Sequence, residues 1–116
     1  MHELSIVHSI VDVATESARK ANASRVLKVN LRLGALSGVV EDSLLFCYEF
    51  STRDTMLEGS SLEIEVLPVI IHCSSCAADR ELPDIQHFRC PICGTPSGDV
   101  RQGKELEIGS LEVELP

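Results

Sequence analysis

At 116 residues the chain has the length of one ordinary domain, enough to bury about two-thirds of the surface its unfolded form exposes. Hydrophobic residues make up 44% but aromatics only 3%, with no Trp, so the core must be built from Leu, Ile, Val and Ala, as where helix packs on sheet. A net charge of -8 and a pI near 4.9 create a field that repels phosphate backbones and anionic membrane surfaces, so neither nucleic acid nor membrane is an expected partner.

The first predicted element is an amphipathic helix of about five turns. Leu4, Val7, Val11, Ala14, Ala18 and Ala21 recur at steps of three and four, with Ile6, Ile10 and Val13 widening the apolar face and His8 packing at its margin. Asn22 to Ser24 supply the stop. The period then drops to two over residues 25 to 33, placing Leu27, Val29, Leu31 and Leu33 on one side of a strand and Lys28, Asn30 and Arg32 on the other. Gly34, Ser37 and Gly38 break it. Val40, Leu44, Cys47 and Tyr48, with Phe46 and Phe50, return to helical spacing, and Glu41 and Asp42 suit the positive end of that helix. A Gly59-Ser60-Ser61 turn precedes a second strand, Leu62 to Leu67, whose Leu62, Ile64 and Val66 point one way and which Pro68 ends.

Residues 69 to 104 hold the four paired cysteines, three of the five prolines and three glycines, and show little regular period. They read as a module inserted between strands, because Leu111, Val113 and Leu115 alternate with Ser110, Glu112 and Glu114 as a final strand of the same small sheet. The expected organisation is therefore a helix and sheet domain over residues 1-68 and 105-116, with a separate module over residues 69-104. The fold class is α+β: two helices on a three-stranded sheet, with a zinc-ribbon-like insertion.

No apolar run approaches the roughly 20 residues needed to cross a bilayer, and the first 24 residues lack the basic start and small-residue cleavage site of a signal peptide. The expected location is the cytoplasm, a reducing compartment in which paired cysteines hold metal rather than form disulfides. Cys73-x-x-Cys76 and Cys90-x-x-Cys93 are separated by thirteen residues, slightly fewer than the usual zinc-ribbon interval of about 15 to 20. Each pair can fold as a knuckle that delivers two thiolates to one ion. Zn2+ tolerates four thiolates without redox chemistry, and four protein ligands leave no open position for a substrate, so the zinc is structural. Iron on the same thiolates and a pair of disulfides are the rival readings. His72 and His87 flank the cage and read as solvated loop residues, with exchange of either for a zinc thiolate as the alternative, and Cys47 reads as a small buried hydrophobe.

Met1-His2-Glu3 gains its chemistry from its position. The terminal amine, the His2 amide and the His2 imidazole can close adjacent chelate rings, and nitrogen donors of that kind suit Ni2+ in a square-planar or tetragonal site, with Glu3 adjoining. A chain opening Met1-His2-Glu3-Leu4-Ser5, with a long helix, a strand running into Leu33-Gly34-Ala35-Leu36-Ser37-Gly38, two CxxC pairs and a late Ser110-Leu111-Glu112-Val113 strand, resembles the HypA/HybF family of nickel-insertion accessory proteins along its whole length. The resemblance implies nickel, as transferred cargo, at Met1, His2 and Glu3, and zinc at Cys73, Cys76, Cys90 and Cys93. It also implies two partners, a nickel-handling GTPase of the maturation pathway and the precursor of a [NiFe] hydrogenase large subunit. Some members serve urease maturation. The resemblance also admits a further carboxylate near the nickel, for which the segment after Gly38 offers Glu41 or Asp42.

A catalyst is not expected, since no HExxH helix or Gly-rich phosphate loop occurs and no histidine pairs with a nucleophile. A nucleic-acid zinc ribbon lacks its basic patch, because Arg80, Arg89, Arg101 and Lys104 are balanced by Asp79, Glu81, Asp84 and Asp99. The readings that compete with a metallochaperone are a zinc-ribbon adaptor without nickel and a small iron-thiolate redox carrier.

Overall fold

A computed structural model describes residues 3–116, in which the local signals resolve into α1 (Glu3–Lys20), β1 (Arg25–Gly34), α2 (Glu41–Ser51), β2 (Ser61–Leu67), β3 (Ile70–Cys73), β4 (Ala78–Glu81), β5 (Val100–Gln102) and β6 (Leu106–Glu114). Two helices with two three-stranded sheets, ordered β2-β1-β6 and β4-β3-β5, make the expected α+β fold. The chain divides into two compact units, one of Met1–Leu31, Gly38–Ile64 and Ile108–Pro116, the other of Arg32–Ser37 and Glu65–Glu107. No described helix is long and apolar enough to cross a membrane.

In the first unit α1 packs on α2. The buried stripe of α1 is Ile6, Val7, Ile10, Ala14 and Ala18, whereas Leu4, Val13 and Ala21 are exposed and Val11 is half-buried. The inward face is thus centred on Ile10, one residue before the predicted line through Val11, and His8 faces solvent instead of packing at its edge. The helix ends as Asn22 turns left-handed (φ 57°), while the Ala23 N–H reaches Ala18 O and the Asn22 N–H reaches Arg19 O, the bond pair that closes a helix C-terminus.

Along β1 the pleat slips between Val26 and Val29. Val26 is buried and Leu27 is 40% exposed, which corrects the predicted inward Leu27, while Val29, Leu31 and Leu33 fall inward as expected. The same happens at the end of β2, where Val66 turns out and Leu67 turns in. Partners on β6 descend as β1 ascends, from Ser24 on Glu114 to Asn30 on Ser110, so these strands run antiparallel. Lys28 with Glu112 and Arg25 with Glu114, both at 3.3 Å, lie along that edge; such exposed pairs report register and contribute at most about 1 kcal/mol each.

Helix α2 has no side-chain cap at Val40, and its first turn carries Glu41 and Asp42 against the exposed N–H groups instead. Only Leu44 and Tyr48 of this helix are buried; Phe46 and Phe50 stand 74% and 62% exposed, because the i, i+4 pair alone faces inward. The Tyr48 hydroxyl lies 2.6 Å from Ser60 Oγ, and buried Thr52 donates its hydroxyl to Tyr48 O at 2.8 Å, tying the helix end to the turn before β2.

The second unit has its own small core of Val69, Ile71 and Leu82, closed over by Ala35, Leu36, Phe88 and Val100. Its sheet pairs β3 antiparallel with β4, Ile70 opposite Glu81 and Cys73 opposite Ala78, and β3 antiparallel with β5. Sequence periodicity did not reveal these strands, since three or four residues are too short to display a period of two.

Candidate metal centres

Both knuckles are products of hairpin geometry. Cys73 is the last residue of β3, and the chain returns to Ala78 through a turn in which Ala77 takes a positive φ of 52°; the Cys76 N–H points back at Cys73 Sγ, 3.4 Å away. On the second side the Cys90 N–H bonds Thr95 O and the Gly94 N–H bonds Cys90 O, both at 2.9 Å, while an Arg89–Pro96 bridge holds the base. Gly94 is needed there, with φ 77°.

All four sulfurs lie within 4.8 Å of one another, with Cys73–Cys93 at 3.5 Å and Cys76–Cys90 at 3.9 Å. A tetrahedral ion with metal–sulfur bonds of about 2.3 Å needs sulfur–sulfur edges of about 3.8 Å. The donor set therefore fits a metal, and its edges are far longer than the roughly 2.05 Å of a disulfide; all four cysteines are free thiols. Cys73 and Cys90 are buried, Cys76 is half-buried and Cys93 exposed.

Electrostatics reinforce the fit. Backbone N–H groups of Cys93 and Ile92 pull the Cys90 thiol down to about 6, and Thr95 lowers Cys93 through its side chain and then its N–H. At Cys76 the Arg80 guanidinium is the largest single influence and pulls downward, but the Cys93, Cys73 and Cys90 thiols and burial together outweigh it and raise the thiol to about 11. Four sulfurs this close ionise together only with a cation between them, so metal uptake releases protons and weakens at low pH.

The flanking histidines are engaged elsewhere. His72 Nδ1 lies 2.9 Å from Asp79 Oδ1, its partner in the β3–β4 register, and His87 Nδ1 lies 3.5 Å from Asp84 Oδ1. Among the described residues the cysteines form a metal-binding group without either histidine.

Of the terminal site, Met1 and His2 lie outside the described residues. Glu3 opens α1 and is half-buried, and it lines an open cavity with Leu4, Asp42, Ser43, Phe46 and Cys47. The first turn of α2 thus brings Asp42, and not Glu41, to the cavity that Glu3 lines. Cys47 also lines it, half-buried rather than submerged in a core. Sequence reasoning left Asp42 and Glu41 undecided, because an i, i+4 reading of α2 shows that Asp42 shares a side with Phe46 but not which side meets α1.

A model of the family described as "Hydrogenase/urease nickel incorporation, metallochaperone, hypA" matches residues 1–113. The chain is 49% identical over 114 residues to a protein named hydrogenase maturation factor HypA from Roseiflexus sp. (strain RS-1), covering 98% of this chain and 93% of that one. It is 46% identical over 115 residues to the protein of the same name from Geobacter metallireducens, covering 98% and 100%. Its fold is similar to the solution structure of the Ni metallochaperone HypA from Helicobacter pylori, at a TM-score of 0.71 and 23% identity over the whole of both chains.

Proposed function

Since the chain belongs to the HypA family of hydrogenase and urease nickel-incorporation metallochaperones, we infer that it binds Ni(II) at its amino terminus and delivers it to the large-subunit precursor of a [NiFe] hydrogenase. The terminal amine, the His2 amide and the His2 imidazole are the nitrogen donors, with Glu3 adjoining. The cysteine cage holds zinc, whose role is to bind the two knuckles into one rigid piece. A nickel-handling GTPase of the maturation pathway is the partner that exchanges the metal, in the cytoplasm, and urease maturation is a second destination that the family description admits. The protein carries an ion rather than catalysing a reaction.

The observation that carries this reading is that Glu3, next in the chain to His2, shares a cavity with Asp42. Two carboxylates together with a nitrogen chelate make a donor set of nitrogen and oxygen, which suits Ni(II). Protons compete for the amine and the imidazole, so nickel affinity falls as pH drops.

Nickel titration of acid-to-amide variants tests the placement. Asp42→Asn is expected to weaken nickel binding by about tenfold or more, as loss of a ligand-supporting carboxylate does, while Glu41→Gln leaves it unchanged. Equal effects of the two substitutions would mean that bulk acidity, and not the cavity, attracts the metal.

A further inference from the structure

Sulfurs of a four-thiolate zinc centre carry more negative charge than the ion cancels, and N–H donors aimed at them take up the excess. Here Cys73 receives the Cys76 N–H, Cys90 the N–H groups of Cys93 and Ile92, and Cys93 the Thr95 N–H. At Cys76 the group that bears on the sulfur is a side chain, Arg80. Arg80 lies on β4, opposite fully buried Ile71. Its Nε is sealed from solvent with no hydrogen-bond partner, a donor that is costly to bury unless something electron-rich lies beside it. The Cys76 and Cys90 sulfurs are the groups that bear on its guanidinium.

We propose that Arg80 is a positioning residue of the metal centre, its forked guanidinium serving Cys76 and Cys90 together, offsetting the charge of the zinc–thiolate cluster and blunting the sulfurs as nucleophiles. This rests on the reading of the four cysteines as a zinc site. A guanidinium suits the task because it is permanently charged and presents several N–H groups in one plane, whereas a lysine ammonium is a point charge that cannot span two sulfurs in the same way. Outer-sphere partners of this kind commonly govern metal affinity by about 10–100-fold.

The test uses the full chain as wild type, Arg80→Gln, Arg80→Lys and, as a control, Arg101→Gln, whose guanidinium instead bonds Asp99 at 2.9 Å. Three quantities are read: zinc affinity by chelator competition, the sulfur-to-metal charge-transfer band after cobalt replaces zinc, and the rate at which an alkylating reagent releases zinc. Arg80→Gln is expected to lower zinc affinity by about tenfold or more, move the band to lower energy and speed release, with Arg101→Gln like wild type. Arg80→Lys should recover part of the affinity while its band stays shifted, and it decides the matter if the Gln variant does not fold. A loss of affinity with the band and release rate unmoved would assign Arg80 to hairpin stability and overturn the proposal, as would variants indistinguishable from wild type. Wild-type protein that takes up neither zinc nor cobalt would overturn the zinc reading itself, and the proposal with it.

Discussion

Cys73→Ser is expected to weaken zinc binding and loosen the knuckles while leaving α1 and α2 in place. Cys73 is fully buried at the end of β3, its sulfur 3.5 Å from Cys93, so a serine hydroxyl there neither ionises nor reaches a tetrahedral bonding distance. Structural zinc sites contribute apparent binding energies of about 10–16 kcal/mol; one ligand in four is then about 3 kcal/mol, on the order of a hundredfold in zinc affinity. In the second unit that binding energy is also folding energy, because the three buried residues Val69, Ile71 and Leu82 make a small core. Zinc content by mass spectrometry, with hydrogen exchange resolved by segment, checks both halves. A chelator should expose residues 69 to 104 ahead of the helices, and the same order should hold in the variant. Simultaneous loss of protection throughout the chain would contradict it, and a red, iron-loaded protein would favour a redox carrier.

Gly34→Ala is expected to be the most damaging single-methyl change in the chain. A Cβ on Gly34 would stand 2.1 Å from Gly103 O, 2.2 Å from Gly103 C and 2.6 Å from Glu105 N, all backbone atoms that no rotamer change can move aside. The two segments are held together there by the Gly34 N–H on Glu105 O and the Leu36 N–H on Gly103 O, both at 2.7 Å, so relieving the clash breaks the bonds between them. The cost should be roughly 3–5 kcal/mol, at the upper end for point substitutions, and Tm should fall by about 10 °C or more. Gly38→Ala is the control: its φ of 76° strains an alanine by about 1 kcal/mol, but nothing lies within 4 Å of the added carbon. Equal Tm values for the two variants, measured with zinc bound, would mean that the close approach at Gly34 is not what holds this corner.

Long elements were readable because periodicity accumulates along them. α1, β1, α2, β2 and the late strand all appear where hydrophobic spacing put them, and the stop at Asn22 has the left-handed turn its residue type permits. The errors are rotations within correct elements. Leu27 and Val66 point outward because the pleat slips by one residue, and Phe46 and Phe50 are exposed because α2 buries only Leu44 and Tyr48. Those outcomes depend on which neighbour each face meets, information no single segment contains. β3, β4 and β5 were missed for a different reason: they are held by pairing around the knuckles rather than by a pattern of their own. At the sites the contrast is the same. The convergence of the four cysteines was legible, since each CxxC is a local turn that presents two sulfurs together. Asp42 beside Glu3, and Arg80 behind Cys76, are tertiary placements that no spacing announces.

The claim that the amino terminus carries nickel while the cysteines hold zinc is tested most directly by one paired titration. Wild type and His2→Ala, each with a free terminal amine and no preceding tag, are titrated with Ni(II) while bound zinc is measured in both. The imidazole is removed and the cysteine cage is untouched, so the variant should fold, keep one zinc, and lose nickel affinity by more than about a hundredfold, beyond what loss of an outer-shell group alone causes. Nickel binding in the variant equal to that in the wild type, with zinc retained in both, would contradict the terminal site.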